Sequence, residues 1–90
     1  SSPERLVQFL EITHLPLGVC FDTGYANLTG GVEAAYTILG PRIRSTHLHD
    51  NDGASDLHLL PLLDNGGTIG WRRAMELLRS RDPQYPLVLE

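Results

Sequence analysis

Three short apolar runs, Leu17–Asp22, Arg42–His49 and Pro86–Glu90, alternate with three stretches whose apolar residues recur at helical spacing. Helix followed by strand, three times over, implies right-handed crossovers and a parallel sheet. The first helix opens at Ser2-Pro3-Glu4, with a hydroxyl cap, a proline in the first turn and an acid at the positive dipole end. Leu6, Phe9, Leu10 and Thr13 form its stripe. Val32, Ala35, Tyr36 and Leu39 mark the second helix, which Gly40-Pro41 stops, and Trp71, Ala74, Met75 and Leu78 mark the third. Thr23–Gly31 reads as a loop. So does Asp50–Gly70, whose length is unusual unless the loop has work to do. Along Arg42–His49, period two places Ile43, Ser45, His47 and His49 on one side and Arg44, Thr46 and Leu48 on the other.

Three strands cannot close a barrel, yet each run looks apolar enough to be buried on both faces. The fold expected is therefore α/β, a parallel sheet that looks cut from something larger; the partial (β/α)8 barrel, with residues 1–90 as its C-terminal part, is what the resemblance named below implies. A half-barrel leaves sheet edges and an apolar face exposed, which favours pairing with another copy of the chain.

Composition removes several classes of function. The 90 residues carry 41% hydrophobic and 20% charged side chains, an ordinary globular balance. The net charge of −4 disfavours non-specific attraction to nucleic acid or to an anionic membrane. No apolar run approaches the ~20 residues of a membrane span. All seven basic residues are arginine, so lysine Schiff-base, P-loop and lysine general-base chemistry are absent from this stretch. One cysteine, Cys20, cannot form an internal disulfide and fits a reducing cytoplasm; its place beside Asp22 predicts core packing.

Each strand run carries ionisable groups at its end: Asp22 on the first, His47 and His49 on the second, Glu90 on the third. In parallel α/β proteins functional groups gather at the carboxyl ends of strands. Two acids and an imidazole at one rim offer mixed oxygen and nitrogen ligands to a divalent cation, Mn, Mg, Co or Zn. The plainer reading of an acid after a strand is a helix cap or a turn former.

Four blocks carry a resemblance: Gly18-Val-Cys-Phe-Asp-Thr-Gly24 with Ala26-Asn-Leu28, His47-Leu-His-Asp-Asn-Asp52, Gly67-Thr-Ile-Gly-Trp71 and Pro86-Leu-Val-Leu-Glu90. In this order they resemble the sugar phosphate isomerase/epimerase family of xylose-isomerase-like TIM barrels, a superfamily that also holds the endonuclease-IV-type apurinic endonucleases. The resemblance implies that Asp22, His47 and Glu90 are metal ligands, with a fourth, a glutamate, on a strand before Ser1. It implies an isomerase or epimerase of a sugar or sugar phosphate, acting by proton transfer through an enediolate, with Glu90 as both ligand and acid/base. The rival readings are a metal-dependent phosphodiesterase like the apurinic endonucleases, which would act on DNA, and a non-catalytic barrel module.

The chain departs from that pattern at Tyr25, where the family has histidine. A phenol can hydrogen-bond a sugar hydroxyl but ligates zinc poorly at neutral pH. Asp56-Leu57-His58 matches the Asp-x-His that the endonucleases use for an additional zinc; here it reads as a substrate-side pair or as a solvated loop. For His49, substrate contact and support behind the metal ligands stand level. Asp50, Asn51 and Asp52 either orient the site or form an Asx-rich turn, and Trp71 reads as packing.

Overall fold

The computed structural model describes residues 2–13, 18–62, 65–81 and 84–89. Helix α1 (Pro3–Thr13) leads to strand β1 (Val19–Asp22), a short helix α2 (Thr23–Leu28), helix α3 (Val32–Leu39), strand β2 (Ile43–Leu48), helix α4 (Trp71–Leu78) and strand β3 (Leu87–Leu89). A single 3-10 turn, Gly40–Arg42, joins α3 to β2. The three strands form one parallel sheet in the order β1-β2-β3, so the chain is a mixed α/β unit with helical crossovers.

The sequence signals act where they were read. The Ser2 hydroxyl accepts the Arg5 N–H at 3.2 Å and caps α1. One segment differs: Thr23–Leu28, read as loop, is helical. Its Thr, Gly and Asn are weak helix formers, and tertiary contacts override them: Thr23, Gly24 and Ala26 are all buried.

One face of the sheet carries the core. Phe21 and Thr46 are register partners on that face and both are buried under the helices. They join Val19, Leu39, Leu48, Trp71, Ala74 and Leu78, with the rings of Phe21 and Tyr36 meeting edge-on at 6.3 Å. Register shifts between Val19 and Cys20, so that Ile43 pairs with Val19 and is wholly buried in this core instead of lining up with Ser45 and His47.

Among the described residues no helix covers the other face, which corrects the expectation of strands buried on both sides. Cys20 and Ser45 are register partners there, followed by Asp22, His47 and Val88 in one row across the three strands. Cys20 is exposed and does not pack in the core, and Val88 is 44% exposed. Among the described residues no helix is long and apolar enough to cross a membrane.

Candidate functional site

Asp22 ends β1 and His47 is the penultimate residue of β2; the two are Cα partners on the open face of the parallel sheet. The next partner of His47 is Val88 on β3. Glu90, two residues on in sequence, lies outside the described residues, as do His14, Leu63 and Asp64.

The plainer reading of Asp22 also holds. Its Oδ1 accepts the backbone N–H of Tyr25 at 2.9 Å and so caps α2. The same oxygen lies 2.6 Å from Nε2 of His49, and because a carboxylate only accepts, the ring nitrogen is the donor. Thus Asp22 caps a helix and holds an imidazole with one oxygen.

His49 lies just past β2 and is 1% exposed. The Thr23 hydroxyl donates to the His49 carbonyl at 2.8 Å, and the Thr23 oxygen accepts the His49 N–H at 3.1 Å. A Cβ on residue 24 would overlap the imidazole, so only glycine leaves room for the ring. The ring also stacks on His58, centroids 4.2 Å apart and planes within 7°.

His49, Asp56 and His58 bring ligand-type atoms within 4.8 Å of one another. Nε2 of His58 is 3.4 Å from the Asp56 carboxylate, and both side chains are exposed. Stacking decides what this group can do. An imidazole lone pair lies in the ring plane, so two face-to-face rings cannot both aim a nitrogen at one ion ~2 Å away. An ion here requires the His58 ring to turn off His49. Tyr25 stands nearby on α2, 46% exposed.

The polar loop after β2 is tied down by a buried carboxylate that sequence reading left undecided. Oδ1 of Asp50 accepts the N–H groups of Asn51 (2.7 Å), Thr68 (3.0 Å) and Ile69 (3.1 Å). Oδ2 accepts the indole N–H of Trp71 at 2.8 Å. Asn51 donates its amide to the Gly24 carbonyl at 2.8 Å, and its own side-chain oxygen accepts Asn27 Nδ2 at 2.7 Å and Gly53 N–H at 2.9 Å. Asp50 and Asn51 therefore lace the loop to α2 and to the start of α4. Asp52 is the turn former: it accepts the N–H groups of Ala54 and Ser55, which hold its carboxyl below the ordinary range.

Among curated proteins, the chain is similar to uncharacterized protein y4fM of Sinorhizobium fredii (strain NBRC 101917 / NGR234), 35% identical over 75 residues. The match takes in 82% of this chain but only 23% of that protein, so the chain spans about a quarter of the length of the relative it matches. No protein-family model and no solved structure matches the chain.

Proposed function

We propose that the chain is the C-terminal part of a (β/α)8 barrel whose full protein isomerises or epimerises a sugar or sugar phosphate, using a divalent cation held by Asp22, His47 and Glu90. The observation that carries this reading is the register of Asp22 with His47. A carboxylate and an imidazole stand side by side at the carboxyl ends of neighbouring parallel strands, on the face that a closed barrel would turn inward. Glu90 comes two residues after Val88, the partner of His47 on the third strand.

Two further points support the barrel. Exposed Cys20 and Val88 on the open face are apolar groups that more protein on that side would cover. The relative is long enough to supply it: 75 residues are 23% of its chain, which makes roughly 330 residues, within the range of barrels of this type. Exposure of the same face leaves pairing with a second copy as the way the unit would bury it alone.

The donor set suits Mn, Co, Mg or Zn. Bound there, a cation would polarise the carbonyl and hydroxyl oxygens of a sugar. Glu90 would move the proton on the carbon beside the carbonyl, and Tyr25, exposed one helical turn from Asp22, would hydrogen-bond a sugar hydroxyl. The single cysteine of this stretch fits the reducing cytoplasm as the proposed location. The test is to incubate the full-length protein and Mn2+ with aldoses, ketoses and their phosphates in deuterated water. Deuterium entering the carbon next to the carbonyl supports the reading. Cleavage of abasic DNA with no such exchange would replace it with the nuclease.

A further inference from the structure

We infer that His49 is a positioning residue that fixes the carboxylate of Asp22, and that Asp22-Thr23-Gly24 is built as its seat. The inference rests on the reading of Asp22 as a metal ligand and assigns His49 a task within that site.

Each of the three consecutive residues meets His49 in a different way. Asp22 accepts from Nε2 at 2.6 Å, Thr23 clasps the backbone N–H and carbonyl at 3.1 and 2.8 Å, and Gly24 leaves the space that the ring fills. His58 stacks on the ring with centroids 4.2 Å apart. Held in this way, the ring has no freedom to turn, and its N–H points at one oxygen.

The same geometry restricts direct contact of His49 with a ligand. Nε2 is spent on Asp22, and Nδ1 is sealed from solvent with no hydrogen-bond partner. Nδ1 can meet an ion only beside Asp56 and His58, and only once the His58 ring turns off His49. An unpartnered acceptor inside the protein is unfavourable, so the arrangement is retained at a cost.

The consequence falls on Asp22. Tyr25 N–H and His49 Nε2–H both converge on Oδ1, which fixes the carboxylate plane. Oδ2 takes no hydrogen bond among the described residues, on a side chain that is 36% exposed. A carboxylate pinned by one oxygen presents the other to a cation without first losing rotational freedom, and groups behind a ligand typically change metal affinity 10–100-fold.

The test is a Co2+ titration of the full-length protein, read by its visible absorption, for wild type, Asp22→Ala, His49→Leu, His49→Gln and His49→Asn. Glutamine can set an amide N–H near the place of Nε2, whereas asparagine reaches only as far as Nδ1. The expected result is affinity lowered about 10–100-fold in His49→Leu and His49→Asn, with an altered absorption band, and largely restored in His49→Gln. Should His49→Leu fail to fold, the glutamine and asparagine pair carries the comparison. Equal affinities for that pair, with binding still lost in Asp22→Ala, would overturn the role of His49 and leave the metal reading standing. Co2+ uptake unaffected by Asp22→Ala would overturn both.

Discussion

The indole N–H of Trp71 donates to Oδ2 of Asp50 at 2.8 Å, inside the protein, across 21 residues of chain. With three backbone N–H groups on its other oxygen, Asp50 has four donors. This carboxylate is the knot of the loop that runs from β2 to α4. Trp71→Phe keeps the ring packing and removes one charge-assisted hydrogen bond, for an expected loss of ~1.5–3 kcal/mol in urea unfolding. Asp50→Ala strips all four donors at once and is expected to lose more.

Gly24 has a Cβ forbidden by the His49 imidazole. Gly24→Ala is expected to destabilise by ~1–3 kcal/mol through overpacking. The diagnostic is the His49 ring: its proton resonances should move in Gly24→Ala far more than those of His47. An unmoved His49 signal in a stable variant would contradict the seat described for it.

Alternation of helix and strand, the bounds of α3 and the carboxyl-end position of Asp22 and His47 were all legible in the sequence, because each rests on local pattern or capping. What escaped it depends on distance. Helix α2 is made by an aspartate cap and by burial of Thr23 and Ala26, neither of which raises the low propensity of Thr-Gly-Tyr-Ala-Asn. Asp50 belongs to the run Asp50-Asn51-Asp52, which by pattern either orients the site or forms an Asx-rich turn; its donors Thr68, Ile69 and Trp71 come from the far end of the loop. Gly67 held a hint, since a Cβ there would overlap the Asp50 carboxylate, but no spacing rule links the two. His49 and His47 share a period-two face on paper, yet β2 ends between them and the chain turns His49 inward.

The phenol of Tyr85 is buried, its hydroxyl without a hydrogen-bond partner among the described residues. Burial first, and the neighbouring Tyr36 second, push its pKa up to about 12, against a smaller opposing pull from Arg81. A raised value favours the protonated ring in the folded state. Stability from this source is complete below the ordinary phenol value near 10 and is lost as pH rises towards 12. Absorbance at phenolate wavelengths should reveal a late-titrating tyrosine that Tyr85→Phe removes, and the alkaline fall in stability should change shape in that variant.

Glu33 and Arg73 face each other across α3 and α4, with Nε and Nη2 both donating to Oε1 at 3.1 and 2.8 Å. Hydrogen bonding to Arg73, then its charge, holds the Glu33 carboxyl below the ordinary glutamate value. The stabilisation is present above that ordinary value and disappears as pH falls through the lowered one. An NMR titration should show the Glu33 midpoint rising in Arg73→Gln. The pair is solvent-exposed, so salt should shrink the difference.

In the proposed site Asp22 and His47 share one divalent ion. Calorimetric titration of the folded full-length protein with Mn2+ tests it most directly, comparing wild type with Asp22→Ala, His47→Ala and His58→Ala. The expected result is one ion per chain, lost in Asp22→Ala and His47→Ala and retained in His58→Ala. Uptake that survives both strand-end substitutions, or that is lost only with His58, would contradict it.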